Sequence, residues 1–90
     1  MRNNLPPLNY AILKLFADGA ERCAQDVIGE LRADYGSYKL LSPEGVGEAL
    51  ATAKENELLE ETRFELAPDD TLVTYYRVTE FGKETIEKYI

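Results

Sequence analysis

The side chains of this chain that could carry out catalysis are few and dispersed. The chain has no histidine, so the commonest acid–base group and metal ligand is missing. Two pairs of adjacent carboxylates occur, Glu60-Glu61 and Asp69-Asp70. Neighbours on a strand point to opposite faces and neighbours in a turn are hydrated, so neither pair is predicted to share a proton. The sequence therefore predicts no enzyme, no cofactor and no metal site.

The one cysteine of the chain, Cys23, is predicted to be a small buried apolar residue rather than a redox sensor. A single cysteine excludes an internal disulfide and fits a reducing compartment. The sequence has no run of ~18 apolar residues, and the opening segment MRNNLPPLNY has no apolar signal core. We therefore expect a cytoplasmic protein without a membrane segment.

Composition and charge describe one ordinary globular domain spanning residues 1–90. Hydrophobic residues make up 44% and charged residues 30% of the chain, values typical of a folded domain. The net charge of −7 works against anionic partners such as nucleic acid. A local basic stripe would still be compatible with that total.

Apolar spacing predicts the elements that must position any functional residue. Residues 8–18 show helical periodicity and end at Gly19, and a second helix is expected over about 24–35. Ser42-Pro43 gives the third helix an N-cap hydroxyl and a proline at its first position. Four of the tyrosines fall on the inferred core faces: Tyr10, Tyr35, Tyr76 and Tyr89.

From Leu58 the apolar period changes to two, and the turn Ala67–Thr71 separates two alternating runs. This pattern predicts a β-hairpin. Thr79 is then expected to cap a short last helix with Phe81 on its apolar side. The order of elements is that of a winged helix-turn-helix, an α+β fold with a three-helix core, a two-stranded wing and a short C-terminal helix.

Two segments carry a resemblance to a known group of proteins. SPEGVGEALATAKENELLEE, followed by YYRVTEFGKETI, resembles the third helix, wing and last helix start of small bacterial regulators of the PadR and MarR kind. The resemblance implies a winged-helix regulator of transcription. The sequence departs from these families at Glu57, where they often have glycine. It also stops about ten residues after Thr79, without their long C-terminal dimerisation helix.

By this resemblance, the third helix would enter the major groove of DNA and the wing would contact the backbone. None of the residues on its expected reading face is of the type that makes bidentate base contacts: Glu44, Gly45, Gly47, Glu48, Ala51, Thr52 and Glu55. The candidate DNA contacts are instead neutral or basic residues around it: Tyr38, Lys39, Ser42, Arg63 and Arg77.

The acidic third helix favours protein partners over DNA, so the leading hypothesis from the sequence is a module that acts through protein contacts or self-association. DNA binding through the third helix and wing is the alternative. The candidate partner-binding residues are Glu44, Gly45, Gly47, Glu48, Ala51, Thr52, Val73 and Tyr75. Gly45 and Gly47 would either allow close approach of a partner or relieve crowding against the second helix. No small-molecule ligand is evident.

Overall fold

The computed structural model describes residues 6–90. Its helices and strands follow one another in the order that the sequence predicts. Residues 1–5, part of the segment in which no signal core is expected, lie outside the described residues. The helices are α1 (Leu8–Leu15), α2 (Ala24–Tyr35), α3 (Pro43–Glu55) and α4 (Glu80–Tyr89), and the strands are β1 (Leu59–Leu66) and β2 (Leu72–Val78). No helix within the described residues is both long and apolar enough to cross a bilayer.

The first helix is shorter than predicted, because its last turn tightens. α1 ends at Leu15, and Phe16–Asp18 form a 3-10 turn. Gly19 then takes a left-handed conformation with φ of 86°, which glycine adopts without steric cost. The predicted boundary at residue 18 is confirmed, and only the hydrogen-bond pattern before it differs.

Hydroxyl caps start the third and fourth helices where the sequence predicts them. Ser42 Oγ accepts a hydrogen bond from the Gly45 amide at 3.1 Å, and Thr79 Oγ1 accepts one from the Gly82 amide at 2.8 Å. Each cap satisfies one of the amides that a helix start leaves without a partner.

The core lies where α1, α2 and α3 meet the base of the hairpin. Its largest fully buried side chains are Phe16, Ile12, Leu50, Leu59, Val27 and Val46. Tyr35 is buried as predicted and Tyr76 is half-buried. The placement of Tyr10 and Tyr89 in the core is wrong, since they are 48% and 73% exposed. Tyr10 lies about 200° around its helix from Leu8, and Tyr89 occupies the last turn of α4.

The hairpin is antiparallel, with Leu66 opposite Leu72 and Phe64 opposite Thr74. A bulge between Glu61 and Arg63 interrupts its register, which a strict alternation does not predict. The backbone of Arg22 forms an isolated bridge to Tyr76, with both hydrogen bonds at 2.9 Å. Three core helices, a two-stranded wing and a short last helix confirm the predicted α+β winged-helix architecture.

Candidate nucleic-acid interface

The start of α3 is fixed by close packing between Gly45 and the preceding loop. A Cβ on Gly45 would lie 2.4 Å from the Leu40 carbonyl oxygen, so only glycine allows this approach. Gly47, in contrast, has open space around it. Gly45 therefore relieves crowding within the domain, but the crowding is against the loop before α3 and not against α2. Gly47 leaves the helix surface around it without side-chain bulk.

The outer face of α3 is acidic and accessible. Exposed side chains on it are Glu44, Glu48, Ala51, Thr52 and Glu55. Within residues 6–90, no ion pair involves Glu44, Glu48 or Glu55. Tyr38 and Lys39, in the loop before α3, are also exposed. The structure thus brings the predicted reading face and the loop contacts to one end of the domain.

Arg63 on the wing is held by carboxylates and by an aromatic ring. Its Nε donates to Glu21 Oε2 at 2.7 Å, its Nη1 donates to Glu65, and its guanidinium lies 3.8 Å from the Tyr75 ring centroid. Hydrogen bonding to Glu21 raises the pKa of Arg63. Thr62 and then Arg63 donate to Glu21 and lower the pKa of its carboxyl. Glu21 lies far away in the chain, and no sequence pattern linked it to the wing.

Arg77 on β2 is also paired. Its Nη2 donates to Glu60 Oε2 at 3.0 Å across the two strands, where Glu60 and Arg77 are direct partners in the register. Both side chains are about half exposed, and such surface pairs contribute ~0–1 kcal/mol. Arg77 can therefore exchange its carboxylate for a phosphate at small cost.

The wing has one face with Val73 and Tyr75 and another with Phe64 and Leu66. Val73 and Tyr75 are candidate partner-binding residues that would form an exposed apolar patch if their face were left uncovered. Both are only partly exposed, and Arg63 covers the Tyr75 ring. The large exposed apolar residues lie on the opposite face: Phe64, Leu66 and Leu72, which are 55%, 69% and 60% exposed. Phe81 on α4 is exposed as well, at 55%. The predicted apolar side of α4 is therefore only partly covered.

The wing tip carries carboxylates that serve the turn. The side chain of Asp69 accepts a hydrogen bond from the Thr71 amide at 3.1 Å, and hydrogen bonds from Thr71 lower the pKa of Asp69. Asp70 takes a left-handed conformation with φ of 69°. Across residues 6–90, no group of three or more carboxylate or thiol residues is arranged to hold a metal ion.

A charged cluster that the sequence did not suggest joins the 3-10 turn after α1 to α2, at the residue whose backbone bridges to the wing. The buried Arg22 donates to Asp18 at 2.9 and 3.0 Å and to Glu30 at 2.7 and 3.2 Å. Its guanidinium carbon also lies 5.6 Å from the Phe16 ring centroid. The spacing of Asp18 and Arg22 was the only available signal, and the partner on α2 depends on tertiary contact. Cys23, next to Arg22, is buried as predicted.

Solved structures of winged-helix regulators match this fold. PadR of Bacillus subtilis, in a complex with operator DNA, aligns with 91% of the chain at a TM-score of 0.73 and 18% identity. A PadR-like transcriptional regulator of Bacillus cereus aligns with 90% of it at 0.67 and 20%. ZitR of Lactococcus lactis, as a C30AH42A mutant, aligns with 94% of it at 0.65 and 23%.

The chain spans about half the length of PadR and ZitR and three quarters of the Bacillus cereus protein. No family model matches the chain, and no curated protein is significantly similar to it in sequence. At these identities the likeness establishes the fold alone. The fold is the winged helix that PadR-like regulators also have.

Proposed function

We propose that this chain is a DNA-binding regulator of transcription that contacts duplex DNA with α3 and the wing. The likeness of nearly the whole chain to PadR, which was solved on operator DNA, is the observation that carries the proposal. It favours DNA binding, the alternative drawn from the sequence, over the leading hypothesis of protein contacts.

Four groups around α3 are suited to phosphate contact. The Ser42 hydroxyl accepts from Gly45 and keeps its own hydrogen for an anion at the helix start. Lys39 lies in the exposed loop before α3, and Arg63 and Arg77 have half-exposed side chains on the wing. Together these groups offer phosphate contacts at the start of α3 and on the wing.

The charge of the interface limits general affinity for DNA. Residues 42–78 carry nine carboxylates and three cations, which accounts for −6 of the net −7. Because Lys39, Arg63 and Arg77 offer about three phosphate contacts per copy, the slope of log affinity against log salt should be only about −3. Preference for particular DNA sequences would then depend on the shape of the DNA and on the few polar groups of α3.

A second copy of the chain would double these contacts. Large apolar side chains are exposed on α1 and α4, namely Tyr10, Phe81 and Tyr89, and exposed apolar surface of this kind favours association. We therefore include a homodimer in the proposal. Analytical ultracentrifugation with and without DNA tests it, and a monomer bound to a single half-site would contradict it.

Fluorescence anisotropy tests DNA binding. The first titrations use duplexes enriched from a genomic library, and the second use a mixed-sequence duplex. Each is measured at about 50 and about 200 mM salt. Arg63→Ala plus Arg77→Ala should weaken binding at least tenfold at the lower salt, by loss of about two phosphate contacts. The control is Lys83→Ala plus Lys88→Ala on α4, which removes the same charge away from the wing. Failure to enrich any duplex, or equal loss in the control, would overturn the proposal.

The acidic face of α3 supports a second candidate, a basic protein partner. Glu44, Glu48 and Glu55 are exposed and form no ion pair with residues 6–90, so they are available to steer such a partner. Glu44→Lys plus Glu48→Lys should weaken a basic partner and strengthen duplex binding. If this variant and the arginine variant bind every ligand as the wild type does, neither surface is the site.

A further inference from the structure

An apolar groove runs along the side of α3 that faces α1. Its volume is about 350 Å³, within the range of pockets that bind small molecules. Its apolar lining comes from Ile12 and Leu13 on α1, Ala49 on α3, and Leu40 and Leu58 in the segments before and after α3. Asn9, Thr52 and Asn56 add polar groups to the lining. The groove is not evident from the sequence, because its walls come from three separate segments.

Small residues on α3 give the groove its depth, and Gly45 allows the loop at Leu40 to pack closely on the helix at one end of it. Gly45 also lines the groove, and the 2.4 Å that would separate its Cβ from the Leu40 oxygen shows how closely the loop lies on the helix. This contact places the Leu40 side chain, which is 59% exposed, beside the opening. The groove is therefore shaped by backbone packing and does not depend on a mobile side chain.

Among residues 6–90, Glu48 is the one ionisable side chain that lines the groove. It is exposed and forms no ion pair within residues 6–90. Glu44 and Glu55, on the same helix, add to the negative potential around it. A carboxylate at the edge of an apolar groove selects a ligand with an apolar body and one positive charge.

We propose that the groove between α1 and α3 binds a small organic cation, an amine or quaternary ammonium with an aromatic or alkyl body. The body packs between Ile12, Leu13 and Ala49, and the cation lies beside Glu48. The groove shares Glu48 with the outer face of α3, but its test uses the chain without DNA, so the outcome does not depend on DNA binding.

The test compares three probes that share one body and differ in charge. Phenylbutylamine, phenylbutanol and phenylbutanoate are each titrated into the full chain and followed by two-dimensional amide NMR. The amine should shift the amides of Leu13, Ala49 and Leu58 saturably and bind about fivefold more tightly than the alcohol, as expected for one ion pair in a hydrated site. The anion should bind about fivefold more weakly than the alcohol for the same reason.

Two variants identify the charged group. Glu48→Gln should abolish the preference for the amine while leaving alcohol binding unchanged, and the control Glu44→Gln should retain the preference. Both positions are exposed, and dispersed spectra verify that each variant is folded. Equal binding of amine and anion, shifts scattered outside the groove, or a preference that persists in Glu48→Gln would each overturn the proposal. Groove amides that shift with protein concentration alone would also overturn it, since a second copy would then fill the groove.

Discussion

The guanidinium of Arg63 lies 3.8 Å from the centroid of the Tyr75 ring on the neighbouring strand. Arg63 and Tyr75 are direct partners in the register because of the bulge that precedes Arg63. Glu21 and Glu65 then receive the donors at the edge of the guanidinium. A wing cation suited to phosphate contact is thus preoriented by the ring and neutralised by the protein's own carboxylates.

Removal of these carboxylates should increase duplex affinity. In Glu21→Gln plus Glu65→Gln, Arg63 keeps its place over Tyr75 but loses its charged competitors. We expect roughly three- to tenfold tighter binding at low salt, since exposed ion pairs of this kind are weak and their loss leaves the guanidinium free for phosphate. Fluorescence anisotropy measures it. The control is Glu84→Gln plus Glu87→Gln on α4, and an equal gain there would show that only net charge matters.

The two glycines near the helix starts should respond to alanine in opposite directions. A Cβ on Gly82 would lie 2.1 Å from the Leu58 carbonyl oxygen, so Gly82→Ala should lower the free energy of unfolding by about 2–3 kcal/mol. Gly47 has open space, so Gly47→Ala should raise it by about 0.5–1 kcal/mol. Urea denaturation of both variants checks the pair, and equal signs would contradict the close packing of α4 on the turn.

The turn between α3 and β1 should favour glycine at position 57. Glu57 has φ of 67°, a conformation that costs non-glycine residues ~1–2 kcal/mol. Glu57→Gly should keep or slightly raise the stability, whereas Glu57→Val should lower it by about 1–2 kcal/mol, because a β-branched side chain fits this region poorly. Thermal denaturation measures both. A valine variant as stable as the wild type would show that the turn relaxes.

The Arg22 cluster should stabilise the packing of the 3-10 turn against α2. Arg22→Met keeps an apolar stem over Phe16 but removes the donors to Asp18 and Glu30. Since both carboxylates are about half exposed and can rehydrate, we expect a loss of about 1–2 kcal/mol in urea denaturation. Arg32→Met, at an exposed position of α2, is the matched control and should change little.

Stability should depend on acid pH through Asp18. Hydrogen bonds from Arg22 lower the pKa of Asp18 from 3.8 to about 2. A depressed pKa stabilises the folded state above the unfolded value, and that contribution is lost as pH falls from about 4 towards 2. Because the Asp18 side chain is 56% exposed, we expect only about 1 kcal/mol. The difference in unfolding free energy between wild type and Asp18→Asn should shrink over this pH range, and a constant difference would contradict the assignment.

Local signals in the sequence predicted the winged-helix elements because those signals act over a few residues. The Ser42 and Thr79 caps, the change to a period of two near Leu58, and the turn before Leu72 each depend on neighbours in the chain, and each occurs in the structure as predicted. The strand bulge at Thr62 was missed, since a bulge depends on pairing with β2 and leaves the alternation of residue types nearly unchanged.

The functional hypotheses from the sequence weighed the acidity of α3 against the DNA-binding role that is usual for the fold. The exposure of Glu44, Glu48, Ala51, Thr52 and Glu55 on α3 follows from helical periodicity. The state of the wing arginines was not predictable, because Glu21 reaches Arg63 across 42 positions of the chain.

The sequence by itself therefore determined the order of elements, their caps and the acidity of α3. Only the tertiary structure decided that a carbonyl oxygen packs directly against Gly45 and another against Gly82. It also decided that Glu57 adopts a left-handed backbone conformation. The exposed apolar face of the wing carries Phe64 and Leu66 rather than Tyr75. The tertiary structure also created the groove beside Glu48. The physical reason is range: propensity and periodicity act between neighbours, whereas close approach, ion pairing and grooves depend on residues that meet only when the chain has folded.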